Sequence, residues 1–134
     1  MIRRLDELPK VADGAPNDPG WHPITHYFGL TAFGLNAFVA REAGQELVGE
    51  HDETASGQEE VYVLMSGHAR VTLDDDDSEV DAVTIVALPS AATRRAVVAL
   101  EPGTTLLAIG APARERFEST WRASHFDGVP QVRD

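Results

Sequence analysis

From Thr31 onward, the chain alternates short apolar runs with small groups of turn residues. The runs are rich in residues that favour strands, and they read TAFGLNAFVA, EVYVLM, ARVTL, VDAVTIVAL, RAVVAL and TTLLAIG. The separators are Gly44, Gly49, SG at 66–67, DDDDS at 74–78, LPSAAT at 88–93 and EPG at 101–103, and none is long enough for the crossover helix that parallel strands need. The pattern therefore predicts an all-β fold of six or more strands, arranged as an antiparallel sandwich or barrel.

The first 30 residues follow a different pattern. They contain many residues that break regular structure, namely Pro9, Gly14, Pro16, Pro19, Gly20, Pro23 and Gly29. This composition predicts an irregular arm, with a short turn of helix at Leu5 to Leu8. The arm also carries a large apolar load in Trp21, Ile24, Tyr27 and Phe28, so we expect it to pack on the barrel.

The end of the chain predicts one further element. After Pro112, the stretch ARERFESTW can form a helix of two turns, and a tail follows. We therefore expect one domain, made of an arm at 1–30, a barrel at 31–111, and a short helix and tail at 112–134.

Composition narrows the classes of function. The chain has 134 residues, of which 43% are hydrophobic, enough for one core. Its formal net charge of -11 opposes binding to nucleic acids and to anionic membranes. No apolar run approaches the ~20 residues that span a bilayer, and MIRRLDELPK lacks the apolar core of a signal peptide, so we expect a cytoplasmic protein. Without cysteine, there is no thiolate nucleophile and no cysteine-ligated zinc.

The run EVYVLM is apolar on both of its faces. Strand alternation places Glu60, Tyr62 and Leu64 on one face, and Val61, Val63 and Met65 on the other. One face can line the barrel, whereas the other needs cover from a second sheet, the arm or another subunit. In the last case the apolar strand faces and the aromatic arm would form a homodimer, which is the partner we expect.

Two stretches resemble the motifs of the cupins. EEVYVLMSG is similar to the first cupin motif, in which a glutamate lies seven residues before a turn glycine, as Glu60 and Gly67 do here. LPSAATRRAVVA is similar to the second motif, whose proline matches Pro89. The resemblance covers about Thr31 to Gly110 and implies a small jelly-roll barrel. More narrowly, the chain resembles an uncharacterised bacterial group of single-domain cupins.

The departures from these motifs concern the metal ligands. The resemblance implies three histidines and a glutamate, but here His51 stands for the first histidine, Glu53 for the second and Arg94 for the last. An arginine has no lone pair and cannot coordinate a cation. If Arg94 projects inward, its guanidinium can pair with Glu60 instead; if the strand register slips by one residue, Arg95 enters the barrel.

The expected function is a metal-free cupin that acts as a small-molecule binding or structural protein. Its predicted pocket contains His51, Glu53, Glu60, Tyr62 and Arg94, with no cofactor. The alternative is a metal-dependent enzyme of the dioxygenase, isomerase or decarboxylase type, with His51, Glu53 and Glu60 as ligands. An enzyme without metal would need acid/base chemistry from Glu60, His51 or Tyr62. A helical metal pair at His22 and His26 is disfavoured because Pro23 opposes a helix.

Overall fold

Two four-stranded antiparallel sheets form the body of the protein. The computed structural model describes residues 1–12, 14–115 and 118–131. Within these ranges the strands are β1 Gly34–Val39, β2 Glu46–His51, β3 Gln58–Ser66, β4 His68–Leu73, β5 Asp76–Asp81, β6 Thr84–Leu88, β7 Arg95–Ala99 and β8 Thr105–Pro112. One sheet has the order β1-β8-β3-β6, and the other has the order β2-β7-β4-β5. The predicted all-β class is therefore confirmed.

The core lies between the two sheets. Strand β3 is central in its sheet, where Tyr62 pairs with Val86 on one side and Ala108 on the other. Alternation turns Tyr62 and Leu64 inward, and both are 1% exposed. They pack in one cluster with residues of both sheets, including Leu47, Val71, Leu88, Val97 and Leu106. Burying each large apolar side chain contributes roughly 1.5–3 kcal/mol, so this cluster stabilises the pairing of the sheets.

Two strands were absent from the sequence prediction. Strand β2 contains Gly49 and mostly exposed residues, so its apolar pattern is short. Strand β5 is acidic and exposed, and it begins within the run that predicted only a turn. It pairs with β4 from His68–Asp81 to Leu73–Asp76, at the edge of its sheet. Edge strands often carry charged side chains, which prevent the edge from pairing with other chains. Such strands therefore show little apolar periodicity in the sequence.

The arm contains more regular structure than expected. A 3₁₀ helix at Leu5–Glu7 confirms the predicted turn, but a short α-helix, α1, also occupies Ile24–Phe28. The expectation that Pro23 prevents a helix here is wrong, because proline is well suited to the start of a helix, where no N–H donor is needed. Gly29 ends α1 with a φ of 65°.

Backbone hydrogen bonds attach the arm to one edge strand of each sheet. The His22 N–H donates to the Ala37 carbonyl on β1 at 2.7 Å, and the Ala37 N–H donates to the His22 carbonyl at 3.1 Å. The Glu46 N–H on β2 donates to the Asn17 carbonyl at 2.9 Å. The arm is therefore joined to both sheets through its backbone.

The chain after β8 also returns to the barrel. Arg116 and Phe117, at the centre of the helix predicted from ARERFESTW, lie outside the described residues. A 3₁₀ helix is found later, at Ala123–Phe126. No helix in the described ranges is both long and apolar enough to cross a membrane.

Candidate functional site

A cavity of about 1120 Å³ opens at one end of the barrel. Its walls come from the arm, α1, strands β1, β2, β3 and β8, and the segment 118–131. His51, Glu53, Glu60 and Tyr62, four of the five predicted pocket residues, line it together. We refer to these four residues and Arg95 as the inner cluster.

His51 and Glu53 form an ion pair. His51 lies at the end of β2, and its Nε2 is 3.0 Å from Oε1 of Glu53. Its Nδ1 donates to the Gly49 carbonyl at 2.8 Å, while the Ser56 hydroxyl donates to Oε2 of Glu53 at 2.5 Å. Both imidazole nitrogens face acceptors, so the pair favours the doubly protonated ring. The hydrogen bond between the two side chains raises the pKa of His51 and lowers the pKa of Glu53.

Glu60 and Tyr62 form a second pair on the inner face of β3. They are two residues apart, so their side chains point the same way, and the Tyr62 hydroxyl donates to Oε2 of Glu60 at 2.7 Å. Burial raises the pKa of both groups, because each loses water around its charged form. Tyr62 therefore stays protonated and acts as a hydrogen-bond donor.

Arg95, and not Arg94, occupies the interior. Strand β7 begins at Arg95, and its alternation buries Arg95, Val97 and Ala99. Arg94 precedes the strand; its side chain is 55% exposed and pairs with Glu50. The assignment of Arg94 to the pocket is therefore wrong. The alternative register of this strand, in which Arg95 enters the barrel, is the one found.

The Arg95 side chain is fully buried, at 0% exposure, and lies behind Glu60. Its Nε is 3.7 Å from Oε2 of Glu60, and its Nη1 donates to the Ala91 carbonyl at 3.5 Å. Among the described residues, Nε and Nη2 have no hydrogen-bond acceptor. Arg95 does not line the cavity, so Glu60 lies between its guanidinium and the cavity.

Three side chains of the inner cluster have donor atoms that one metal ion could reach. Ligand atoms of His51, Glu53 and Glu60 lie within 4.8 Å of one another. They offer one imidazole and two carboxylates, which is one ligand fewer than the cupin motifs imply. A typical non-haem iron site has two imidazoles and one carboxylate, so this set also has one nitrogen donor too few. The guanidinium of Arg95 beside Glu60 further opposes a cation. The donor set thus fits a three-ligand site geometrically, but its charges disfavour it.

The aromatic boundary of the cavity could not be recognised from the sequence. Trp21 of the arm, 3% exposed, stacks on Trp121 with ring centroids 4.6 Å apart. His26 of α1 stacks in the same way on Phe126, at 4.1 Å. The apolar load of the arm predicted packing, but nothing local indicates that residues separated by 100 positions meet over a cavity.

The charged groups around the cavity are mostly negative. Carboxylates line it from five places in the chain, namely Asp18, Glu46, Glu53, Glu60 and Glu118. No lysine or arginine lines it within the described part of the chain.

Known proteins resemble the chain in fold. No family model matches it, and no curated protein matches it. A cupin protein from Bacteroides fragilis is 18% identical, with a TM-score of 0.63 over 93% of this chain and 100% of its own. A double-stranded β-helix protein from Klebsiella pneumoniae is 15% identical, with a TM-score of 0.65 over 88% and 97%. A cupin 2 conserved barrel domain protein from Salinispora arenicola is 20% identical, with a TM-score of 0.61 over 96% and 94%. At this identity the likeness establishes the fold alone.

Proposed function

We propose that this protein, a cupin by fold, is a metal-free small-molecule-binding protein whose ligand occupies the cavity above the inner cluster. The observation that supports this most directly is the cavity itself. Its volume of about 1120 Å³ is slightly larger than the range of about 300–1,000 Å³ that is usual for sites that bind small molecules, so it has room for such a ligand. Apolar and aromatic walls meet a few convergent polar groups there, which is the usual chemistry of such sites.

The surroundings of Glu60 support a site without metal. Arg95 supplies a fixed positive charge within 3.7 Å of the Glu60 carboxylate, so a divalent cation would meet repulsion there. His51 would also have to release the proton that it shares with Glu53 before Nε2 could bind an ion.

Analysis of the protein purified without tag or chelator tests this proposal. We expect less than stoichiometric transition metal by elemental analysis, and a small organic molecule released on denaturation and detected by mass spectrometry. Ala108 lines the cavity, so Ala108→Phe should reduce the amount of that molecule by filling its space. Ala82→Phe, at an exposed position outside the cavity, is the matched control. Equal recovery from both variants would contradict binding in the cavity.

A metal-dependent enzyme of the dioxygenase, isomerase or decarboxylase type is the second candidate. The mutual approach of His51, Glu53 and Glu60 within 4.8 Å favours it. A bound divalent ion would act there as a Lewis acid on a substrate oxygen, and Tyr62 would donate a hydrogen bond beside it. Near-stoichiometric metal that is lost in His51→Ala would replace the first proposal with this one.

We also propose a homodimer that covers the outer face of the sheet β1-β8-β3-β6. The uncovered part of that face is apolar and includes Val61, Val63, Met65, Val83 and Ile85. Val83 is 71% exposed and Ile85 is 67% exposed. The helix α1 contacts the opposite edge of this sheet, at β1. An apolar patch on a sheet is a common site of association between copies.

A further inference from the structure

We infer that the ligand of this cavity is an organic cation, an ammonium group with an oxygen acceptor a few atoms away. The inference rests on the proposed small-molecule binding and names the chemistry of the ligand. It is carried by three features of the cavity wall, which are its carboxylates, its paired tryptophans and a buried donor without an acceptor.

The carboxylates give the cavity a negative electrostatic potential. Glu53 and Glu60 are already paired with His51 and Arg95. The excess of negative charge therefore comes from Asp18 in the arm, Glu46 in β2 and Glu118 after β8. Because they surround the cavity from several sides, a carboxylate or phosphate ligand would be repelled in most positions. Among the described residues, no lysine or arginine lines the cavity, and the nearby Lys10 acts on Asp18 alone of these carboxylates.

The two positive charges of the inner cluster are already engaged. The imidazole of His51 contacts Glu53 at 3.0 Å, and the guanidinium of Arg95 lies behind Glu60 without reaching the cavity surface. Neither is free to attract an anionic ligand. An arginine at the cavity surface, as the sequence predicted for Arg94, would have been better suited to anions.

The tryptophans provide aromatic surface that can bind a cation. Trp21 and Trp121 line the cavity and stack on each other, and Phe38 and Tyr62 line it below them. Aromatic faces attract ammonium groups through the ring quadrupole, and tryptophan does so most strongly. Carboxylates together with aromatic rings are therefore better suited to an alkylammonium than to a neutral apolar group.

Trp21 also carries an unsatisfied donor. Its indole Nε1 is buried and has no acceptor among the described residues. A buried donor without a partner costs free energy, so a ligand that brings an oxygen acceptor next to its cationic group would remove that cost. This is why the inference specifies an oxygen as well as an ammonium.

Three probes of nearly equal shape separate charge from apolar burial. Choline carries the cation, 3,3-dimethylbutan-1-ol is its neutral isostere, and 3,3-dimethylbutanoate is an anionic counterpart. The chain has two tryptophans, and both line the cavity, so intrinsic tryptophan fluorescence reports on occupancy directly. At constant ionic strength, we expect choline to bind at least about tenfold more tightly than the alcohol, and the carboxylate to give no saturable change.

Two variants and a control locate the effect. Glu46→Gln removes a wall carboxylate, and Trp121→Phe replaces an indole by a weaker ring; each should weaken choline binding several-fold and leave the affinity for the alcohol nearly unchanged. Glu101→Gln removes an exposed carboxylate outside the cavity and should change neither affinity.

The outcomes distinguish this inference from the proposed function. Equal or weaker binding of choline relative to the alcohol or the carboxylate would overturn the cation inference while leaving a small-molecule cavity in place. No response to any probe would also overturn it. The proposed function would fall separately, if no organic molecule is released from the purified protein.

Discussion

The guanidinium of Arg95 lies directly behind the carboxylate of Glu60, with Nε 3.7 Å from Oε2, and both groups are withdrawn from solvent. The same oxygen accepts the hydroxyl of Tyr62 at 2.7 Å. Glu60 is thus fixed from two directions before any ligand arrives. This arrangement gives the cavity a preorganised acceptor whose counter-charge comes from inside the protein and not from the ligand.

Removing Arg95 should destabilise the protein strongly. In Arg95→Met, Glu60 keeps its buried charge without the nearby cation, so we expect a loss of roughly 3 kcal/mol or more in the free energy of unfolding. Arg94→Met removes an exposed partner of Glu50 and should cost less than ~1 kcal/mol. Urea denaturation of the two variants measures the difference. Equal losses would contradict the interior position of Arg95.

The same substitution should change the titration of Glu60. Burial already raises the pKa of this carboxyl group, while Arg95 opposes the rise. We therefore expect the pKa of Glu60 to rise further in Arg95→Met and to stay constant in Arg94→Met. Carbon-detected NMR titration of the glutamate side chains resolves both. A pKa that falls, or that responds equally to the two variants, would show that Arg95 does not act on Glu60.

The His51–Glu53 pair predicts a window of pH in which it stabilises the fold. The folded pKa of His51 is raised above its ordinary value of 6.5, so its contribution is complete below that value and is lost as the pH rises through the folded pKa. The folded pKa of Glu53 is lowered from 4.5, so its contribution is complete above 4.5 and is lost as the pH falls through the folded pKa. The pair is therefore fully effective between pH 4.5 and 6.5.

Unfolding free energies measured from pH 3 to 9 should show this window as a difference between the native protein and Glu53→Gln. Glu59→Gln, at an exposed position of β3, is the matched control and should follow the native curve. A Glu53→Gln curve parallel to the native one over the whole range would exclude a stabilising pair.

Replacing Arg95 by histidine should create metal affinity. The substitution removes the positive charge that opposes a cation and adds an imidazole nitrogen next to Glu60. That nitrogen would be a fourth metal ligand beside those of His51, Glu53 and Glu60. We expect isothermal titration calorimetry to detect nickel or zinc binding in Arg95→His and none beyond the native level in Arg94→His. Equal metal affinity in the two variants would mean that position 95 and the three other side chains cannot bind the same ion.

The proposed dimer predicts a sensitive position on β6. Ile85→Glu places a charge in the middle of the apolar outer face, which should shift a dimer to monomer in size-exclusion chromatography with light scattering. Ile2→Glu, at a position 92% exposed on the arm, should leave the mass unchanged. A native protein that is monomeric at high concentration would remove the dimer altogether.

Most of the barrel could be predicted because its strands are short apolar runs of strand-favouring residues between turn residues. Residues 60–65 and 104–110 are clear examples, and they form the two central strands of the sheet β1-β8-β3-β6. The acidic strand β5 could not be predicted in the same way, because exposed edge residues leave no apolar period.

The candidate site was predictable where residues share a strand. Glu60 and Tyr62 follow from the two-residue period of β3 alone. The choice between Arg94 and Arg95 depended on where β7 begins, since a shift of one residue reverses the direction of every side chain. The meeting of Trp21 with Trp121 depends on long-range packing, for which no local pattern exists.

The arm that bounds the cavity also covers one edge of each sheet. Each sheet ends in a strand, β1 or β2, whose free backbone groups could pair with another chain. His22 occupies that edge on β1 and Asn17 occupies it on β2, so one segment closes both. A protein cleaved after Gly20 would be open at its cavity and would also expose the edge of β2 as a template for intermolecular β-structure. Opening of the cavity and self-association would then begin with the same cut.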